Sequence, residues 1–200
     1  MTVTEEVVDF VRTATPPREA LTRAAAELDR FRQAVDAGAG STVVRALRRA
    51  EAIPGRPWTA LVSGTAAAAG GGTDRPVWVA VCAAAEALAD GGRSAEAVAV
   101  GSVVADAAAA ALGDAHTGAG WSLPATAGTI GAAATAGRIL GLGADHLRHM
   151  LGICATQAAG LTLAEGTDAA ALQLGKAASN AVEAALLSRN GFTSAARPLE

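Results

Sequence analysis

The sequence predicts an all-α protein, a compact bundle of about seven or eight Ala- and Gly-rich helices. Three observations predict it. Apolar residues recur at three- and four-residue steps through several long segments, with Gly or Pro between them. No segment alternates with period two for long enough to build a sheet. Hydrophobic residues make up 51% of the 200 residues but aromatics only 3%, so the apolar content is mostly Ala, Val and Leu. Small side chains let helices approach closely. The length suits one helical domain, residues 1–200, with a sizeable core.

The elements follow in order. Glu5 to Arg12 reads as a short amphipathic helix, stopped by Pro16 and Pro17, and Pro17 is placed to start the next. From Arg18 to Val35, the residues Leu21, Ala25, Leu28, Phe31 and Val35 form one apolar stripe opposite a charged face. Gly38 and Gly40 end it, and Val43 to Ala52 reads as a short helix or a helical turn. Pro54, Gly55 and Pro57 mark a loop, after which Trp58 to Ala69 is apolar and runs into Gly70, Gly71 and Gly72. Val77 to Ala89 reads as an apolar helix closed by Asp90, Gly91 and Gly92. Ser94 is expected to cap a helix running to Leu112, followed by a polar loop from Gly113 to Gly120. Further helices are expected from about Pro124 to Leu140, Asp145 to Ala159 and Asp168 to Arg189. The last stops at Asn190-Gly191, and the tail from Phe192 to Glu200 reads as extended.

Composition removes several function classes. Net charge is −3 with 18% charged residues, and no basic stripe of the kind that binds nucleic acid is present. Arg greatly outnumbers Lys (Lys176 is the only lysine), and with the Ala and Gly excess this suggests a GC-rich bacterial source. The apolar run from Ala95 to Leu112 contains Glu96 and Asp106, so a buried helix is expected rather than a membrane span. Met1 to Arg12 carries acids and no apolar core of a secretory signal, which points to a cytoplasmic protein. Cys82 and Cys154 lie in apolar helical runs and read as buried free thiols. Gly70 to Gly72 lacks the spacing and lysine of a phosphate loop, and no Ser/His/Asp nucleophile set assembles from spacing.

One stretch carries a resemblance. Gly120-Trp121-Ser122-Leu123-Pro124-Ala125-Thr126-Ala127-Gly128-Thr129 resembles the MmgE/PrpD signature, Gly-Trp-His-Pro-Thr followed by a Thr-Ala-Gly-Thr-like opening of an Ala-rich helix. Downstream, Leu151 to Leu161 and Gly175 to Thr193 resemble that family's next helices, and upstream Ala60 to Ala67 resembles its Leu-Val-Asn-Gly-Thr-Ala-Ala. This family contains 2-methylcitrate dehydratases and cis-aconitate decarboxylases. The resemblance implies a helical domain, with the family's α/β lid domain expected to be absent, as in a natural short form in preference to a truncated chain. It also implies dimers through the helical domain; no cofactor is expected.

The same comparison removes most of the family's polar residues. Its His and Asp-x-Asp-Asp-like cluster fall on Ala68, Gly71, Thr73 and Asp74, where Asp74 alone survives. Its Gly-Trp-His-Pro histidine is replaced at Ser122-Leu123, and its Lys-x-Leu-His falls on Ala170, Ala171, Leu172 and Gln173. Those cations would pair with the carboxylates of a tricarboxylate, so a less charged, more apolar ligand is expected. The candidate catalytic residues are Asp74, Ser122 and Thr126; the candidate substrate-binding residues are Thr65, Trp121, Gln173 and Lys176. Each has a plainer reading: Asp74 as a turn residue, Ser122 as a helix cap, Trp121 as a core anchor, Lys176 as a structural or dimer contact. His116 beside Asp114 reads as a solvated histidine, and Gln157 as satisfying a buried backbone group. His146 and His149 are three apart on one face, but with Arg148 beside them and no metal used at the matched family helix, no metal site is expected.

The functional expectation is a repurposed enzyme for a lyase, isomerase or cyclase step on a relatively apolar small molecule, in a bacterial specialised biosynthetic pathway. The alternative is a non-catalytic binding protein or the partner subunit of a full-length relative. A homo-oligomer or a hetero-partner is expected in either case, to cover apolar helix faces. Convergence of Asp74, Ser122 and Thr126 on one cavity would favour the enzyme; scatter would favour the partner.

Overall fold

A computed structural model describes residues 1–50, 54–71, 74–89 and 93–200. Nine α-helices and no strand occur among them: α1 Val3–Thr13, α2 Arg18–Gly38, α3 Thr42–Arg49, α4 Arg56–Ala69, α5 Trp78–Leu88, α6 Ser94–Gly118, α7 Leu123–Ile139, α8 Ala144–Gln157 and α9 Asp168–Arg189. A 3₁₀ turn, Thr162–Ala164, precedes α9. The count exceeds seven or eight because the Val43 segment, open between helix and turn in the sequence, forms α3. The closure of α5 expected at Asp90, Gly91 and Gly92 lies outside the described residues, as do Gly72 and Thr73.

Local signals set most helix starts. Thr2 and Glu5 form a reciprocal capping box on α1: the Thr2 hydroxyl accepts the Glu5 N–H at 3.2 Å and the Glu5 carboxylate accepts the Thr2 N–H at 2.9 Å. Ser41 accepts the Val44 N–H and starts α3. Ser94 departs from expectation: Arg93 holds the N-cap position, and Ser94 is already the first helical residue. α9 stops where the sequence places it, with Gly191 at φ 90 and the Phe192 N–H returning to the Leu187 carbonyl.

The core is built around α5, α7 and α9. From Trp78 to Ala85 every residue of α5 is buried, and so is every residue of α7 from Ala125 to Gly137. α7 packs against α5, α6 and α9, while α4 packs against α9, α2 and α5. This closeness needs small residues on both sides. A Cβ placed on Gly64 would lie 2.8 Å from the Gly175 Cα, so the α4 and α9 backbones meet at the two glycines. Larger side chains, among them Phe31, Leu88, Leu147, Met150 and Leu151, fill the wider gaps. Cys82 and Cys154 are free and buried. Burial pushes both thiols up, Cys154 to about 12, which keeps them un-ionised and poor nucleophiles at neutral pH.

α6 is long and apolar enough to cross a membrane by length and composition, and 44% of its most apolar window is buried in this fold. Its Asp106 is engaged laterally. The carboxylate accepts the Trp78 indole N–H at 2.9 Å and the Arg75 guanidinium at 2.7 Å. Arg75 also lies 5.0 Å over the Trp78 ring.

Candidate functional site

The polar loop expected from Gly113 to Gly120 is instead a kink and one more helical turn. Gly113 adopts φ 58 and ψ −165 inside α6. That is a left-handed value which glycine reaches without a Cβ clash. Past the kink the chain coils again to Gly118 and delivers His116, and the Trp121 N–H then donates to the His116 carbonyl at 3.2 Å. His116 is therefore half-buried rather than solvated. Its ring stacks on Trp121 with centroids 6.2 Å apart and planes 22° from parallel. Its Nε2 lies 3.1 Å from the Thr126 hydroxyl.

For a neutral ring, the hydrogen-bond inventory selects one imidazole tautomer. Thr126 has one hydroxyl proton and donates it to the Ser122 carbonyl at 3.0 Å. Both contacts are then made at once only if His116 Nε2–H donates to Thr126. Nδ1 is left as the nitrogen with a lone pair. Thr126 is 9% exposed and works from beneath the ring.

A second strand of support comes from the segment after α8. Trp121 and Leu161 form an isolated antiparallel bridge. The Ser122 N–H donates to the Gly160 carbonyl at 2.9 Å, and the Thr162 N–H donates to the Gly120 carbonyl at 3.0 Å. Gln173 on α9 pins the middle of this bridge: its Oε1 accepts the Leu161 N–H and its Nε2 donates to the Leu161 carbonyl at 3.3 Å. Gln173 thus grips backbone with both ends of its amide. Trp121 and Leu161 keep 42% and 46% of their surface exposed and form an apolar platform beside the imidazole.

The remaining candidates divide. Ser122 occupies the N-cap position of α7, but its side chain makes no capping bond, so its hydroxyl lies at the site without that structural task. Lys176 is exposed on α9, three residues beyond Gln173 and on the same side of the helix. Thr65 is fully buried, with its hydroxyl unpartnered against Gly175, and offers no surface to a ligand. Asp74 is exposed elsewhere, lining a 390 Å³ depression with Arg30, Gln33, Ala34, Gly70 and Gly71. Ser122, Thr126, Trp121 and Gln173 converge, and Asp74 does not join them. Gln157 contributes its backbone carbonyl, which accepts from Asn180 Nδ2 at 3.2 Å.

His116 is the residue that sequence reasoning undervalued. Its signal was present in Gly113, whose break allows a helical turn to fold back over the start of the next helix.

The matched family model is the MmgE/PrpD N-terminal domain, over residues 64–200. No curated protein matches the sequence.

Proposed function

From the premise that this chain belongs to the MmgE/PrpD family, we propose that it catalyses a proton-transfer step, of lyase, isomerase or cyclase type, on a relatively apolar small molecule. The observation that carries the reading is the His116–Thr126 hydrogen bond beneath the Trp121 stack. The histidine expected after Trp121 is replaced by Ser122, yet an imidazole reaches the same tryptophan from five residues upstream. In this mechanism Trp121 and Leu161 hold the apolar body of the ligand. His116 Nδ1 accepts a proton from carbon next to a carbonyl, and the imidazolium so formed keeps its Nε2–H on Thr126. Returning the proton to a neighbouring carbon completes an isomerisation with no atom lost. Ser122 Oγ hydrogen-bonds the carbonyl oxygen, and Lys176 screens the charge that develops there.

The absence of the family's cations at Ala170 and Gln173 supports a weakly charged substrate over a tricarboxylate. The test is an NMR screen of small carbonyl compounds in deuterated water. Deuterium should enter a bound ligand with the wild-type protein and should fail to enter with His116→Ala, while Asp74→Asn behaves as wild type. Tight calorimetric binding of a tricarboxylate would sink the reading.

A second reading is a binding or partner protein, as a homodimer or a hetero-partner of a longer relative. It is favoured by the separation of Asp74 from Ser122 and Thr126, and by the exposed row Trp121, Leu161 and Leu163. A strictly monomeric profile in light scattering counts against it. In both readings the chain acts as one helical domain in the cytoplasm, and a bacterial specialised biosynthetic pathway is the proposed setting.

A further inference from the structure

After α9 the chain turns back across α8 and α1. The Ser194 N–H donates to His149 Nδ1 at 3.0 Å, and the Ser194 hydroxyl donates to the His149 carbonyl at 3.0 Å. Gly152, one turn on, makes room for this: a Cβ there would strike the Ser194 side chain. Further along, the Leu199 N–H donates to the Thr4 hydroxyl at 3.3 Å, and the Thr4 N–H donates to the Glu200 carboxylate at 3.1 Å. Leu199 also packs against the main core. Segment 193–200 is therefore a strap with one fastening on α8 and another on α1.

Of the two bonds in the first fastening, the Ser194 N–H bond works only with an unprotonated Nδ1, while the Ser194 hydroxyl bond to the His149 carbonyl does not depend on the ring. Nδ1 accepts from a backbone N–H; a proton on Nδ1 would set two N–H groups against each other. The second fastening favours an ionised Glu200, whose carboxyl is held below its usual range by the Thr4 backbone N–H, and the Leu199 N–H bond to Thr4 does not titrate. By sign, that contribution is present at neutral pH and is lost only as pH falls below the ordinary carboxylate range.

Charged groups lie on each element packed against α8. On α8 itself they are Asp145, which pairs with Arg148, and His146. α1 brings Glu5, Asp9 and Arg12, and the strap brings Arg197; these line a depression that also includes Arg148. α7 brings only Arg138, paired with Glu96, and α9 brings Asp168, Lys176, Glu183 and Arg189. None of them supplies an acceptor to the Ser194 N–H.

We propose that segment 193–200 is a proton-sensitive strap whose Ser194 N–H is latched by neutral His149 and set free when the ring takes up a proton. This does not rest on the functional reading above. The test is amide hydrogen exchange on the whole chain between pH 7.5 and 5, corrected for intrinsic rates. Exchange at Ser194 should rise about tenfold, the effect of losing one hydrogen bond. The rise should track the titration of the His149 ring signal by NMR. His149→Asn is the decisive variant, because its Oδ1 takes the place of Nδ1 as an acceptor that does not titrate; the strap should then stay latched across the range. His149→Phe should exchange fast at every pH, with circular dichroism confirming the fold. Glu200→Gln should keep the His149 step. A pH-dependent rise that persists in His149→Asn, or none in the wild type while the ring titrates, overturns the proposal.

Discussion

The two ends of α7 are held by different means. At its C-terminal end Arg138 is 19% exposed and spends every guanidinium N–H. Nε and one terminal nitrogen donate to Glu96, and the terminal nitrogens also donate to the carbonyls of Val11, Arg12 and Ala14 at 2.7–2.9 Å. One side chain thereby ties α1, α6 and α7 together and satisfies carbonyls at the end of α1 that no intrahelical donor reaches. At its N-terminal end the fastening is made by backbone and by Gln173, and the side chains keep spare capacity: His116 Nδ1, the Ser122 hydroxyl and the Trp121 face. A polar group saturated by structure has nothing left for a ligand, and one held through another atom does.

Four substitutions sharpen that contrast. Arg138→Ala should cost about 3 kcal/mol in urea unfolding, because it strips the partners from Glu96 and three carbonyls at once. A loss below about 1 kcal/mol would mean water replaces the guanidinium freely and the two ends are alike. Gln173→Ala should cost about 1 kcal/mol and speed amide exchange at Leu161 and Ser122, since both amide bonds to Leu161 go. Unchanged exchange would show that the Trp121–Leu161 bridge holds itself. Thr126→Val should move stability by less than about 1 kcal/mol yet change the His116 imidazole nitrogen shifts, because the acceptor for Nε2–H is gone. Nitrogen shifts identical to wild type would refute the assigned tautomer. Ser122→Ala should stay within about 0.5 kcal/mol, as its side chain caps nothing. A loss above about 1 kcal/mol would return it to the ordinary role of a helix cap.

Much of the fold is legible in the residues. The Leu28–Phe31 centre of the α2 stripe, the Asn190-Gly191 stop and the Ala-rich run of α7 each act within a few residues, so local sequence specifies them, whereas Ala25, expected in the stripe, is exposed and Ala24 is buried instead. The site is less legible. Trp121, Ser122 and Thr126 lie within six residues of one another and stand out together. Gln173 is expected at a ligand, and only the fold sets its amide against the backbone of Leu161, twelve residues away. Asp74 and Thr65 fall near family motifs in sequence, but one faces an exposed depression and the other the α4–α9 contact.

The sequence by itself determined the helices, their small-residue faces and the family, because each rests on periodicity, glycine placement or a contiguous motif. Only the tertiary structure decided which polar groups remain available. Arg138 and His116 are both single polar residues near the ends of α7. Their difference comes from partners brought in by the packing of other helices, and hydrogen-bond capacity is counted only once those partners are in place.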